Sequence, residues 1–146
     1  MFNMLIGEYK HTIDIKKRLA IPVKFRKELG EKAVITKGLE TCLVIYTLDQ
    51  WQILAQKLAD LPTGRADARN LARMMLSGAS LVELDKLGRI LVPDYLKEYG
   101  CLKKNVTLLG LSNKIEIWDT EKWQEHRQKT ESSVGDIAER LNELGI

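Results

Sequence analysis

Apolar and polar positions alternate near the N-terminus in the way that predicts a β-strand. Residues 9–15 place Tyr, His, Ile and Ile at every second position, which is the pattern of a strand with one buried face. A second short strand is predicted over residues 19–21. Pro22 suits the start of a helix, because its missing N–H costs no hydrogen bond there. Phe25 and Leu29 follow at helical spacing.

The same reasoning predicts the remaining elements. Residues 33–36 and 43–46 are apolar runs that predict two strands. An apolar stripe over residues 51–61 predicts a helix with Asp49 as its candidate N-cap, and residues 68–76 form a second stripe. In the second half of the chain, strands are predicted at residues 81–84, 90–92, 106–109 and 115–118, and helices at residues 93–99, 119–123 and 133–144.

The two halves of the chain repeat one another. Asp14, Arg18 and Pro22 recur as Asp85, Arg89 and Pro93 at an offset of 71 residues. Further along, the offset becomes 72, so that Trp51 matches Trp123. A slip of one residue is what an insertion or deletion in a loop would leave between two copies.

The repeat divides the chain into predicted segments. Each copy spans only about 45 residues, too few to bury a large share of its own apolar surface. We therefore expect one compact α+β unit with pseudo-two-fold symmetry, in which the strands of the two copies interleave. The first repeat is predicted at residues 7–53, a helical connection at 54–78, the second repeat at 79–124 and a C-terminal helical tail at 125–146.

Composition changes this picture little, but the distribution of charge adds to it. The 146 residues carry 23 Lys and Arg against 20 Asp and Glu, a net charge of +3. Residues 10–27 hold seven basic residues and one acidic residue, a net of +6, whereas residues 119–146 hold a net of −3. A charge run is most often only a solvated face, so the basic block needs support from its motifs.

The sequence offers little for membrane insertion or catalysis. No run of about 18 uncharged apolar residues is present, and the start MFNMLIGEYKH lacks a secretory signal pattern, so we expect a cytoplasmic protein. His11 and His126 lie outside any metal-ligand spacing, and Cys42 lies in an apolar stretch. Asp14 and Asp85 could be paired general acids and bases, but an Arg four residues after each favours a turn-capping or salt-bridged carboxylate. We predict no enzyme, no metal and no cofactor.

The first Asp-x-x-x-Arg turn is the candidate nucleic-acid contact. A β-ribbon fits the DNA major groove, and a hairpin here would present Lys16, Lys17 and Arg18 near its tip, with Lys10 on the flanking strand. The lysines would neutralise phosphates, while the planar fork of Arg18 can read guanine. The alternative for Arg18 is a structural pair with Asp14, which would orient the arginine or satisfy the N–H groups of the turn.

The second turn is a poorer contact by charge. Residues 82–104 carry a net charge of only +1, so Arg89 is a weaker candidate for DNA binding than Arg18.

These motifs resemble those of a known fold family. The two Asp-x-x-x-Arg-x-x-x-Pro units look like tandem SpoVT-AbrB domains, and the segments GEYKHTID, AIPVKFR and IWD resemble the MraZ family specifically. The resemblance implies a β-barrel of two swapped-hairpin repeats with flanking helices. It also implies a ring-shaped homo-oligomer of the cytoplasm and nucleoid that binds double-stranded DNA. In that family the target is short direct repeats at the promoter of the division and cell-wall gene cluster, and the usual effect is repression.

The resemblance also assigns residues. Carried over position by position, the signature covers Asp14 and Arg18 in the first copy and Asp85, Gly88 and Arg89 in the second. The first copy departs from it, because Lys17 occupies the position that carries glycine in the family. If that position has a positive φ, lysine costs on the order of 1 kcal/mol there.

Two other functions fit part of this pattern. An antitoxin-like protein-binding module of the same superfamily typically has one copy and a disordered tail, whereas a second copy and a predicted helix over residues 133–144 are present here. Non-specific coating of DNA would show no preference among sequences. We expect a sequence-specific DNA-binding transcriptional regulator.

Overall fold

The two repeats build one antiparallel β-structure with helices on both sides. The computed structural model describes residues 4–146, so the first three residues of the N-terminal stretch lie outside it. The strands are Leu5–Thr12 (β1), Arg18–Ala20 (β2), Lys32–Lys37 (β3), Leu43–Thr47 (β4), Ser80–Glu83 (β5), Arg89–Leu91 (β6), Asn105–Ser112 (β7) and Lys114–Asp119 (β8). The α-helices are Val23–Leu29 (α1), Leu48–Ala59 (α2), Ala66–Ser77 (α3), Asp94–Tyr99 (α4), Thr120–Ser132 (α5) and Val134–Arg140 (α6), followed by a 3₁₀ turn at Asn142–Leu144.

Every strand of the first repeat pairs with a strand of the second. The cross-repeat pairs are β1 with β7, β2 with β6, β3 with β5 and β4 with β8, all antiparallel. Together with the β3–β4 and β7–β8 pairs they form a six-stranded sheet in the order β1-β7-β8-β4-β3-β5 and a separate β2–β6 ribbon. This order reads the same when the repeats are exchanged. The α+β class is confirmed, and the interleaving of strands is visible in these pairings.

One hydrophobic core lies between the sheet and the ribbon. Leu19 of β2 and Ile90 of β6 pack in the same buried cluster as Ile45 of the sheet, and all three are at most 1% exposed. Phe25 of α1 and Leu96 of α4 complete this cluster from the same side. The ribbon is therefore held by apolar burial, the main favourable term in folding, although it has only three residues in each strand.

Helices cover the opposite face of the sheet. The Thr36 hydroxyl of β3 donates a 2.7 Å hydrogen bond to the Met75 carbonyl of α3. Trp118 of β8 packs against Trp123 of α5 with ring centroids 5.4 Å apart, and Trp51 of α2 packs against a tyrosine of β4 at 5.8 Å. The ribbon, α1 and α4 thus lie on one side of the sheet, and α2, α3 and α5 lie on the other.

The first strand differs from its prediction at both ends. β1 begins at Leu5, four residues earlier than predicted, and ends at Thr12. Ile15 was expected on the buried face but is 97% exposed. The alternation ends after Ile13 because the carboxylate of Asp14 binds backbone N–H groups ahead of it and turns the chain.

Two predicted helix caps are also corrected. Thr47 rather than Asp49 caps α2, since its hydroxyl accepts a 3.2 Å hydrogen bond from an N–H of the first turn. β4 therefore runs directly into α2 without a loop. Asp119 occupies the N-cap position of α5, as predicted, but its carboxylate accepts from the N–H of Lys103 at 3.2 Å instead. The predicted helix at residues 119–123 continues to Ser132.

Gly110 allows the edge strand β1 to lie close against β7. It faces Gly7 across the β1–β7 pair. A Cβ atom at Gly110 would lie 2.7 Å from the backbone nitrogen of Ile6 and 2.8 Å from the carbonyl carbon of Leu5, closer than non-bonded atoms approach. A side chain at this position must therefore displace the backbone of β1.

Gly110→Ala is expected to lower the free energy of unfolding by about 1–3 kcal/mol, because the added methyl group overpacks the β1–β7 contact. Urea unfolding followed by circular dichroism measures this change. Gly64→Ala is the control, because no atom lies within 4 Å of a Cβ there, and it should change the value by less than about 0.5 kcal/mol. Equal losses of unfolding free energy in the two variants would contradict the close approach of β1 to Gly110.

Candidate nucleic-acid interface

Asp14 organises the first signature turn with both carboxylate oxygens. Oδ1 accepts from the backbone N–H groups of Lys16 and Arg18, each at 2.9 Å, and Oδ2 accepts from Nε of Arg18 at 2.8 Å. The N–H of Lys17 also donates to the Asp14 carbonyl at 2.9 Å. The N–H of Arg18, its guanidinium and the N–H of Lys16 hold the pKa of Asp14 below its ordinary value. Asp14 therefore both satisfies the N–H groups of the turn and orients Arg18.

The second turn has the same geometry. Oδ1 of Asp85 accepts from the N–H groups of Leu87 and Arg89, each at 2.9 Å, and Oδ2 accepts from Nε of Arg89 at 2.8 Å. The N–H and guanidinium of Arg89 and the N–H of Leu87 lower the pKa of Asp85 in the same way. Of the two interpretations of these carboxylates, the structure shows the salt-bridged, turn-capping one.

Lys17 and Gly88 occupy equivalent positions with different surroundings. Their φ angles are 65° and 76°, so the turn does require the left-handed backbone that glycine adopts without cost. Nζ of Lys17 lies 2.5 Å from Oδ1 of Asp94. Gly88 instead lies under Arg26, whose guanidinium would overlap a Cβ at that position and whose Nε donates to the Ile21 carbonyl at 2.7 Å.

The β2–β6 ribbon places the two signature arginines on one face. Arg18 lies opposite Leu91 and Arg89 lies opposite Ala20. The two arginines are therefore diagonal neighbours, and the expected distance between their Cα atoms is roughly 7–8 Å. The residues between them point into the core. Because Arg18 and Arg89 come from different repeats, neither repeat alone forms this face.

The predicted β1–β2 hairpin is replaced by this cross-repeat ribbon. The chain between β1 and β2 reverses through an isolated bridge of Ile13 with Leu19 and a 3.0 Å hydrogen bond from the Asp14 N–H to the Arg18 carbonyl. The tight turn that Asp14 caps reverses the chain within a few residues, and β1 pairs with β7 instead. The element that could meet DNA therefore consists of two turns and a shared ribbon.

The predicted lysines do not form one cluster. Lys16 is exposed at the tip of the first turn, beside Arg18. Lys10 is also exposed, but it shares a face of β1 with Glu8, which accepts a 2.7 Å hydrogen bond from Nε1 of Trp123 in α5. Lys10 therefore projects on the α5 side of the sheet, away from the ribbon.

Two residues that contact the turns were not among the sequence candidates. Asp94 binds Lys17, and Arg26 covers Gly88. The repeat alignment held a signal for Asp94, since Val23 stands at the corresponding position of the first copy. Arg26 had no such signal, because its contact depends on how the second repeat crosses the first.

Other chemistry finds no support among the described residues. Burial raises the pKa of the Cys42 thiol to about 12, which disfavours the nucleophilic thiolate form. Nε2 of His126 lies 3.2 Å from a carboxylate oxygen of Glu40, while burial and the nearby Arg26 lower the pKa of His11. Over residues 4–146, no group of three or more His, Cys, Asp and Glu side chains could hold a metal ion. Across the same range, every helix is too short or too polar to cross a membrane.

Comparison with known families finds the same match for both halves of the chain. The family model described as "MraZ protein, putative antitoxin-like" matches residues 4–74 and again residues 75–144. The chain belongs to the MraZ family. Each of the two MraZ matches contains one Asp-x-x-x-Arg turn.

Similar proteins match nearly the full length of this MraZ-family chain. Proteins named "Transcriptional regulator MraZ" from Caldanaerobacter subterraneus subsp. tengcongensis, Natranaerobius thermophilus and Caldicellulosiruptor saccharolyticus are 48%, 45% and 49% identical to it. Each alignment spans 143 residues, which is 98% of this chain and all of the relative.

The lowered pKa values of Asp14 and Asp85 predict a pH dependence of stability. The fold favours their ionised forms, so their contribution to stability is complete above about pH 5 and is lost as the pH falls through the lower folded-state pKa. In the double variant Asp14→Asn/Asp85→Asn, the free energy of unfolding should therefore decline less between about pH 5 and pH 2 than in the wild type. Urea unfolding at each pH measures this slope.

The matched control is Asp49→Asn/Asp136→Asn, which removes two exposed helical carboxylates that bind neither turn. Its slope should follow that of the wild type. If the free energy of unfolding declines equally with pH in the turn variant and in the wild type, the turns do not stabilise the ionised forms of the two aspartates.

Proposed function

We propose that this chain is a sequence-specific DNA-binding transcriptional regulator that meets double-stranded DNA with the β2–β6 ribbon and the turn at residues 14–18. The observation that supports this most is the placement of Arg18 and Arg89 on one face. Among the described residues, Nε is the one guanidinium nitrogen of each arginine that its aspartate binds. Both Nη nitrogens therefore remain as donors, which is what a guanine edge requires.

The charges around the two turns favour the first as the main contact. Lys16 at its tip would bind phosphate, and Arg18 would read bases. In the second turn Leu87, 63% exposed, replaces Lys16, so Arg89 is assigned a secondary contact. Lys10 would reach only DNA that bends around the edge of the sheet.

The division of labour follows the segments predicted from the repeat. The repeat at residues 7–53 would carry the principal contact, and that at 79–124 would hold it in place. The helical connection at 54–78 and the tail at 125–146 lie outside both. The hydrophobic core that the ribbon and the sheet share supports the view that the two repeats form one barrel.

The target and effect are assigned by family resemblance. The relatives are named transcriptional regulators, and the motifs resemble a family that represses the promoter of the division and cell-wall gene cluster. We propose the same action here, in the cytoplasm at the nucleoid, with no enzymatic step.

A ring of identical subunits completes the proposal. Subunits related by rotation suit direct repeats, whereas a two-fold dimer suits palindromes. Tethering several turns in one assembly would raise the effective concentration for neighbouring repeats. Exposed apolar side chains outside the ribbon and the first turn, such as Val23, Leu39 and Leu81, at 74%, 74% and 62% exposure, offer surface for self-association.

The description of the matching family favours one second candidate, an antitoxin-like module that binds another protein. In this chain the region after residue 133 is helical over Val134–Arg140 and Asn142–Leu144. The second repeat is therefore succeeded by short helices rather than by an extended segment that could wrap a partner, which favours DNA binding.

The wild type is expected to prefer DNA from the promoter upstream of its own gene over a scrambled duplex of the same length. Arg18→Ala is expected to remove this preference. A specific Arg contact contributes about 1–3 kcal/mol, roughly 5-fold to 150-fold in the specificity ratio. Fluorescence anisotropy over a salt series measures both affinities. Arg18→Lys should also lose the preference, because it keeps the charge without the planar fork.

Lys16→Ala should instead weaken both affinities and reduce the salt slope by about one unit. Lys129→Ala, on α5 across the sheet, is the control for charge and should change neither quantity. A specificity ratio that survives both substitutions at Arg18 would disprove base readout by this residue.

Mass photometry at nanomolar to micromolar concentration should show a closed oligomer of one defined size. A monomer throughout that range would contradict the ring.

A further inference from the structure

The two repeats differ at two positions that touch each other. At the offset of 71 residues, Lys17 corresponds to Gly88, and Asp94 corresponds to Val23. Nζ of Lys17 lies 2.5 Å from Oδ1 of Asp94, which joins the first turn to the start of α4 in the other repeat. Val23, at the equivalent place, is an exposed apolar residue. The additional cation and its counter-charge therefore occur together, in one of the two turns.

The backbone keeps this pair in place while leaving it open to solvent. The N–H of Val92 donates to the Lys17 carbonyl at 2.9 Å, which anchors the turn two residues before Asp94. The side chains of Lys17 and Asp94 are 43% and 69% exposed. An ion pair this exposed is weak, so another anion can readily replace the carboxylate.

The geometry points to Asp94 as a positioning residue of the DNA interface, which competes with DNA phosphate for Lys17. This inference rests on the proposed function, since it requires that the first turn meets DNA. In the free protein Asp94 neutralises Lys17 and holds its side chain against α4. Phosphate must displace Asp94 before Lys17 contributes a contact. The pair therefore lowers affinity for all DNA and leaves base preference unchanged, because phosphate contacts carry no sequence information.

Binding of the full chain to the promoter duplex and to the scrambled duplex tests this competition. Asp94→Asn should bind both duplexes about twofold to fivefold more tightly at about 0.05 M salt. This range corresponds to the strength of an exposed ion pair. The ratio of the variant's affinity to that of the wild type should fall toward one at about 0.5 M salt, because salt screens the ion pair. The ratio between the two duplexes should stay as in the wild type.

A double-mutant cycle separates this role from a general effect of charge. In a Lys17→Gln background, Asp94→Asn should bring no gain. Asp94→Val, which copies the residue of the first repeat, provides the same test if the asparagine variant folds poorly. Glu98→Gln removes another exposed carboxylate of α4 and should leave both affinities within about twofold of the wild type.

The outcomes distinguish the two proposals. An equal gain with and without Lys17, or no gain from either substitution at Asp94, overturns the role of Asp94. A wild type that prefers the promoter but is indifferent to Asp94 leaves the proposed function standing. A wild type that binds neither duplex overturns both.

Discussion

The pairing of strands between the two repeats is the constraint on which the rest of this structure depends. Each of the four strands of the first repeat is hydrogen-bonded to a strand of the second. A repeat of about 45 residues has too little apolar surface to fold well by itself, and interleaving lets both copies share one core. The ribbon depends on this arrangement, because β2 and β6 are too short to persist without each other and without Leu19 and Ile90 buried beneath them.

The pairing of the two repeats also places one turn motif in two different surroundings. In both copies an aspartate binds two backbone N–H groups and Nε of an arginine, with distances that agree to 0.1 Å. That shared geometry forms the turn in both copies, whereas the residues around each turn set its charge and its packing. Lys16, Lys17 and Asp94 make the first turn polar and charged, whereas Leu87 and the glycine under Arg26 make the second one compact. The structural role of Arg18 is therefore compatible with the proposed base contact, since Nε binds Asp14 and both Nη nitrogens remain as donors.

The sequence predicted local features well because their causes are local. The role of Asp14 in its turn, the strained position of Lys17 and the helix starts after Pro22 and Pro93 depend on residues a few positions apart. The pairing of β2 with β6 and the contact between Lys17 and Asp94 were not predicted, since they join residues 69 to 77 positions apart across the repeats. Ile15 was misplaced because period-two alternation continues in the sequence past the point where Asp14 turns the backbone.

A chain divided between the two repeats tests the central claim most directly. Residues 1–74 and 75–146 would be produced separately and mixed, and their fold and mass followed by circular dichroism and light scattering. The shared core predicts that neither half is a folded monomer and that an equimolar mixture forms a folded one-to-one complex. A half that unfolds cooperatively as a monomer, and that does not combine with the other, would contradict the dependence of each repeat on its partner.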